Sequence, residues 1–512
     1  MTKSIENRIA KNTIFLYIRQ IITLIIGLYT SRIILETLGI ENYGIYNVVG
    51  GIVAMLNFLN TAMSITTQRY LTFELGRGNI NKLQKVFTAS VLIHFLIALI
   101  ILILGESIGL WFLYNKLTIP TDKIASAAWA YQFSILAAIL MIISVPYNAC
   151  IIAHEKMKAF SYITIIETFL KLLIAYTLYF IPFDKLKTYA LLIFLVHLTI
   201  RIIFGYYCKK NFKESQFTLP IDKPLLKEMS KFTGWNLVND ISTITYTQGI
   251  NILLNTFFTP TINAARGIAI QLQNAVYNFC NNFQTAINPQ ITKTYATNDI
   301  STMHNLIYAS SKYSFFLLLI VLSPLLFDTN YILQIWLKNV PDYTVSFVRI
   351  ILCITVIDCI SNPLLTSAKA TGNIKKLQCI SGTIYFSILP ISYICLSLGL
   401  PPQSVFVTHF SIAIIIWIIR LVLIKRMINL SFKRYISDVI LRILPIIIIS
   451  SILSYFIYKY MPHSNIFYLF FDYGMYLIIL LSFIFLIGLN NHEKIFIKKA
   501  IISSQILKKI KK

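Results

Sequence analysis

The chain has 512 residues, of which 57% are apolar and 13% charged, where a soluble domain carries about 25% charged residues. With 45 Lys and Arg against 20 Asp and Glu, its formal net charge is +25. Together with a mean hydropathy of +0.71, these numbers exclude a disordered chain, an ordinary soluble enzyme and a small disulfide-built domain, and leave a polytopic membrane protein.

Residues 1–12 are polar and basic, and the first apolar stretch is long enough to span a bilayer, so it is expected to remain as a helix rather than act as a cleaved leader. Spanning helices are predicted over 13–35, 43–64, 87–114, 125–152, 159–182, 188–207, 232–258, 265–288, 309–328, 344–367, 378–399, 404–424, 438–458 and 468–489. The seventh and eighth are weak by hydropathy. They hold Asn236, Asn239, Asp240 and Asn251, then Gln271, Asn274, Asn281 and Gln284. The fold class expected is an all-α membrane protein of about 14 transmembrane helices: two six-helix lobes in a V plus two extra C-terminal helices.

Fourteen spans put both termini on one side. Segments on that side then hold 31 Lys and Arg, the opposite loops hold 6, and 8 lie within spans. By the positive-inside rule the termini face the cytoplasm. The basic balance is thus read as loops facing anionic lipid, and nucleic acid is not an expected partner. The tail 490–512 spaces Ile495, Ile502, Ile506 and Ile510 at helical intervals among seven lysines, which reads as a basic amphipathic helix on the inner leaflet. The seven cysteines lie mostly in apolar stretches without CxxC spacing, and read as small buried hydrophobes, neither bridges nor metal ligands.

The chain carries an internal repeat. Ser144, Pro146, Ala153 and Lys158 match Ser361, Pro363, Ala370 and Lys375 at one offset of 217. Thr61-Ala62, Gln68 and Tyr70 match Thr285-Ala286, Gln290 and Tyr295 at offsets of 220 to 225. Helices 1–6 and 7–12 therefore read as parallel repeats, an arrangement suited to alternating access. The expected organisation is an N-terminal lobe 1–207, a cytoplasmic linker 208–231, a C-terminal lobe 232–424, helices 13–14 over 425–489 and the tail 490–512.

Charges within spans are costly and mark candidate sites. Arg19 lies about two turns inside helix 1, with Arg32 near its outer end. Arg19 is either a cationic site in a central cleft or one half of a structural ion pair. Glu167 and Lys171 stand four apart on helix 5 and can neutralise each other. Asp240 and Asp358 have no such local partner and, with Glu167, are the candidates for carrying a coupling proton or sodium ion. Arg266 is a further site candidate, while Arg201, Arg349, Arg420 and Arg442 sit nearer helix ends, where long side chains snorkel. Asn57, Asn60, Asn274 and Asn281, with Gln271 and Gln284, present amides that can bond sugar hydroxyls or tie helices together. Gly105 and Gly109 read as a helix-packing pair, and Pro146 and Pro363 as kinks or helix ends.

No GxxxxGK[ST] loop is present, no HExxH occurs, and no soluble segment exceeds about 25 residues, so no catalytic domain, cofactor or metal is expected and the chain reads as a transporter rather than an enzyme.

The stretches KNTIFLYIRQIITLIIGLYTSRIILETLGIENYGIYNVVGGIVAMLNFLN (11–60), TTQRYLTFELGRGN (66–79) and VPYNACIIAHEKM (145–157) resemble the polysaccharide-export branch of the multidrug/oligosaccharidyl-lipid/polysaccharide exporter superfamily. More narrowly, the chain is similar to Wzx-type flippases of O-antigen and capsule synthesis from Bacteroides-like bacteria. The resemblance implies a two-lobed alternating-access fold in the bacterial cytoplasmic (inner) membrane. It also implies movement of undecaprenyl-pyrophosphate-linked oligosaccharide repeat units from the cytoplasmic to the periplasmic leaflet. Expected partners are the lipid-linked oligosaccharide, membrane lipids, a polysaccharide polymerase and a chain-length regulator. On this reading Arg19, with Arg32 and Arg266, meets the pyrophosphate, because the planar guanidinium fork suits phosphate oxygens. The rival on the same fold is an ion-coupled multidrug antiporter, and an intramembrane glycan polymerase ranks lowest because no outer loop exceeds about 15 residues.

Overall fold

The computed structural model describes residues 3–55, 57–115, 119–216, 218–219, 221–258, 260–337, 340–460, 466–490 and 493–495. Among these residues every regular element is a helix. We number the long ones α1 (Lys3–Met55), α2 (Asn57–Arg77), α3 (Ile80–Leu104), α4 (Ile124–Ala153), α5 (Met157–Phe180), α6 (Lys185–Asn211), α7 (Lys223–Phe257) and α8 (Pro260–Ala296). They continue as α9 (Ile300–Phe327), α10 (Thr344–Thr371), α11 (Lys375–Phe386, extended by Ile388–Ser397), α12 (Gln403–Ile428), α13 (Leu441–Tyr460) and α14 (Ile466–Phe483).

Eleven of the described helical segments are long and apolar enough to cross a membrane, and the chain is a multi-pass membrane protein. Among the described residues α7 and α8 are not among them, as the amides of both helices and the carboxylates of α7 lead one to expect. The first predicted break is also legible: α1 is interrupted only at Gly39, whose φ of +79° and ψ of 162° suit a residue without Cβ. Pro146 and Pro363 do not end their helices; α4 and α10 run through both.

Loop chemistry sets the other boundaries. Gly78 turns the chain at φ +70°, and the Asn79 side chain accepts a bond from Lys82 N at 3.0 Å to start α3. Asp184, Asp222 and Asp299 cap α6, α7 and α9 in the same way. The helices then present large apolar side chains outward. On α1, Ile14, Ile18, Ile21, Leu24, Ile25 and Leu28 are exposed at helical spacing, which is what a lipid-facing stripe requires.

The chain divides into two compact units. The first comprises residues 1–244, 285–303 and 368–383. In it α1 packs along α5, α2 and α3 along α4, and α4 along α6. Its core joins Leu71, Phe87, Ile151 and Cys208 to Phe232 of α7 and Ile374 at the start of α11. Gly105 supports the predicted close approach: a Cβ there would meet Ile135 Cδ1 at 2.8 Å, and Tyr131 donates to the Gly105 carbonyl at 2.8 Å. The second unit comprises 245–284, 304–367 and 384–512, built around Leu254, Leu318, Phe347 and Phe406. The cysteine reading needs one correction here. Cys280 of α8 and Cys359 of α10 are joined as a disulfide, because the facing helices bring their Cα atoms to 6.6 Å, a separation the sequence could not show.

Candidate functional site

The predicted repeat reappears in backbone detail. Glu155, just after α4, and Gly372, just after α10, both adopt positive φ (58° and 81°) and stand 217 positions apart (372 − 155). Gly78 after α2 and Asn298 after α8 do the same (70° and 58°) at a spacing of 220 (298 − 78).

Within the first unit, these matched turns hold each other. Arg69 of α2 donates from Nη2 to the Ala370 carbonyl at 2.9 Å and from Nε to the Lys369 carbonyl at 3.1 Å, gripping the end of α10. Its guanidinium lies over the rings of Tyr70 and Phe73 at 4.5 and 4.7 Å. In the counterpart place, Lys293 and Gln290 of α8 both bond the carboxylate of Glu155 at the end of α4. Arg8 Nε reaches the same carboxylate at 2.9 Å. Thr66 and Thr233, 2.9 Å apart, and Gln378 bonding Asn236 at 2.6 Å extend this seal. The result is a reciprocal clasp between the two repeats at the end of the helices that carries the N-terminus.

The intramembrane candidates fall in both units. Arg19 is half-buried on α1 with its guanidinium 4.9 Å from the Phe160 ring of α5. Arg32 is exposed. Glu167 and Lys171 form the expected ion pair at 2.6 Å, and His197 of α6 lies within the field of both charges. Asp240 of α7 is half-buried, and its neighbouring cation is Lys369. No cation stands near Asp240 on its own helix; the charge that reaches it comes from Lys369 of α10, 129 positions away in sequence (369 − 240). Asn57 and Asn60 lie on α2, but their side chains fall outside the described residues.

The second unit contains a denser polar interior. Arg266 of α8 is 5% exposed and donates to Asn251 Oδ1 and, at 2.9 Å, to the Thr247 carbonyl, both on α7. These acceptors are uncharged, so they hold the two terminal nitrogens without cancelling the charge. Arg420 of α12 is 4% exposed and donates to Ser361 Oγ at 2.9 Å. This overturns the reading of Arg420 as a snorkelling residue, since its side chain is buried and reaches Ser361 of α10. Arg420 is also the cation whose field reaches Asp358, from another helix. Around Asp358 stand Tyr246, stacked on Tyr385 at 5.5 Å, Tyr277, which accepts from Asn362 at 2.7 Å, and His409, 3.3 Å from the Tyr246 hydroxyl.

His409 and Arg420 were not legible as site residues. One signal existed: LVHLTI in α6 and VTHFSI in α12 align His197 with His409 at a spacing of 212 (409 − 197). His197 lies in the field of Glu167 and Lys171, and His409 in that of Arg266. The amides of α8 divide by burial. Asn274, Asn281 and Gln271 are exposed, whereas Gln284 is buried and donates to the Cys359 carbonyl at 2.8 Å, a packing role.

No protein-family model and no curated protein matches the chain. Solved structures do. A multidrug-resistance MATE family transporter of the MOP superfamily in an outward-facing conformation superposes with a TM-score of 0.72 at 12% identity, covering 84% of this chain and 98% of that one. A MATE structure in the bent conformation gives 0.71 at 12% identity, over 85% and 99%. A MOP superfamily transporter from Pyrococcus furiosus, described as having a binding pocket of reversed polarity, gives 0.69 at 12% identity, over 84% and 98%. The chain therefore has the two-lobed, all-helical fold of the MATE transporters of the MOP superfamily.

Proposed function

We propose that this protein is a flippase that moves lipid-linked oligosaccharide pyrophosphates between leaflets by alternating access. The observation that carries the reading is Arg266: a guanidinium buried inside a membrane helix and held by the uncharged oxygens of Asn251 and Thr247. Keeping a permanent cation in low dielectric is costly. A cation bonded to neutral groups retains charge for an anionic ligand. Arg19, which shares its helix with the lipid-facing stripe, adds a second guanidinium on α1. The planar fork of a guanidinium suits phosphate oxygens, which makes pyrophosphate the anion of this reading. The prenyl chain would remain in lipid, and the exposed amides Asn274 and Asn281 would contact sugar hydroxyls.

The reading places the protein in a bacterial inner membrane with both termini in the cytoplasm, following the 31-to-6 distribution of basic residues. A polysaccharide polymerase and a chain-length regulator would act on its product. The Arg69 and Glu155 clasp would be the cytoplasmic gate, closed when the substrate site opens to the other side.

The second reading, ion-coupled multidrug antiport, rests on Asp358 among Tyr246, Tyr277 and Tyr385, a setting suited to an organic cation. The buried Arg420 beside it disfavours that ligand.

The test is reconstitution in proteoliposomes with an undecaprenyl-pyrophosphate oligosaccharide and a parallel assay of cationic dye uptake. The flippase reading expects protein-dependent translocation of the glycolipid that falls at least about tenfold in Arg19→Ala and Arg266→Ala. Dye transport with no glycolipid translocation overturns it.

A further inference from the structure

The end of α4 and the segment after α6 bring together side chains that the transport reading leaves unused. Cys150 and His154 are four residues apart and so share one face at the last turn of α4. Glu214 comes from the short turn Lys213–Ser215. The Cys150 thiol donates to Glu214 Oε1 at 3.7 Å, and His154 Nε2 bonds the same oxygen. One ligand atom from each of the three lies within 4.8 Å of the others. The Cys208 thiol of α6 is a partner of the Cys150 thiol and also contacts the Tyr147 carbonyl at 3.4 Å. Cys150, Cys208 and Glu214 are 1%, 0% and 5% exposed, while His154 keeps an edge open to the outside.

We propose that Cys150, His154 and Glu214, with Cys208 as the fourth ligand, bind a zinc ion. Zinc takes four ligands tetrahedrally from thiolate sulfur, imidazole nitrogen and carboxylate oxygen. Bonds of about 2.0–2.3 Å put such ligand atoms roughly 3.3–3.8 Å apart, and the Cys150–Glu214 separation already falls there. Binding displaces one proton from each thiol and leaves the histidine neutral. The outer shell is in place as well. The His154 ring lies flat on Phe212 at 4.1 Å, which fixes the imidazole plane. The ion would join α4, α6 and the segment that leads into α7. It would also brace the residue next to His154, which is Glu155, the carboxylate of the clasp.

The plain alternative is a histidine–glutamate pair beside two inert thiols. A reduced, chelator-treated full-length protein in detergent, titrated with Co²⁺, separates the two. The proposal expects a near-ultraviolet thiolate-to-cobalt band that saturates at about one ion per chain and is displaced by Zn²⁺. The band is expected to fall by more than half in Cys150→Ser and to weaken in Cys208→Ser. The exposed or half-buried cysteines Cys353, Cys379 and Cys395, each replaced by Ser, should leave it unchanged. As a check that does not rely on a folded variant, Zn²⁺ should raise the melting temperature of the wild type. No band, a band unchanged in Cys150→Ser, or a Cys150–Cys208 disulfide in the reduced preparation overturns the proposal. Because the readout is metal binding alone, its failure leaves the transport reading standing, and the reverse also holds.

Discussion

Glu155 and Lys293 form an ion pair that joins the end of α4 to α8, with the Glu155 side chain 1% exposed and that of Lys293 22% exposed. The same carboxylate takes Gln290 and Arg8, so four residues from three helix ends meet on one buried group. In the matching place Arg69 does the equivalent work by bonding the backbone carbonyls of Lys369 and Ala370. Within the first unit, the turns that follow α4 and α10 are thus held by contacts that differ chemically while their places correspond.

Removing Glu155 is expected to be costly. Glu155→Ala strands Lys293 and leaves Gln290 without its acceptor, and breaking a buried pair costs about 3–5 kcal/mol. Glu155→Gln keeps a hydrogen-bonding shape and is expected to lose less. Melting of the detergent-solubilised protein should rank wild type above Gln above Ala. Equal melting temperatures for wild type and Glu155→Ala would show that the clasp contributes nothing.

Gly76 sets the approach of α2 to α8. A Cβ at this position would sit 2.9 Å from Ala296 Cβ and 3.0 Å from the Lys293 backbone, none of which is a flexible side-chain tip. Gly76→Ala is expected to destabilise by about 1–3 kcal/mol through overpacking, against the usual benefit of alanine in a helix. A thermal melt reads this directly, and a rise in stability would contradict the packing described.

In the second unit, Asp358 and Arg420 are expected to be coupled. Arg420→Ala leaves Asp358 without its cation in a tyrosine-lined interior, so the single variant should cost more than the double variant Arg420→Ala with Asp358→Asn. Should Asp358 carry the coupling ion, Asp358→Asn removes the dependence of transport on a proton or sodium gradient. A double-mutant cycle in melting temperature and a gradient-dependent transport assay measure the two effects separately. Additive single variants would dissolve the pair.

Lys312 of α9 is 2% exposed, and its Nζ lies 2.7 and 2.9 Å from the two carboxylate oxygens of Glu493. Glu493 also accepts from Asn490 N at 2.7 Å, which fixes the start of the tail. Lys312→Met should remove this anchor while filling the same space. Limited proteolysis is then expected to release the residues after 490 faster than in the wild type. Unchanged cleavage would mean the tail is held by other contacts.

Much of this protein follows from the order of its residues alone. The apolar runs and the near absence of charge require helices that satisfy their own backbone in lipid, and eleven of the spans are visible in composition. The Glu167–Lys171 pair is also legible, because it depends on spacing within one helix, and two pairs of positive-φ turns recur near the offsets read in the sequence. The described part of the basic tail is confined to residues 490 and 493–495, so its amphipathic helix falls outside the described residues.

What the tertiary structure alone decided is which charge meets which. Glu155 pairs with Lys293 of α8, and the charges of Lys369 and Arg420 reach Asp240 and Asp358 from other helices; which groups meet is set by helix rotation and depth rather than by local spacing. The convergence of Cys150, His154 and Glu214 has the same origin: no spacing motif links Glu214 to the other two, and only the packing of α4 against α6 and the turn after it brings them together. Hydropathy reports that a segment is buried in lipid or protein. It carries no information on azimuth, and azimuth is what turns a costly buried charge into a pair, a clasp or a binding site.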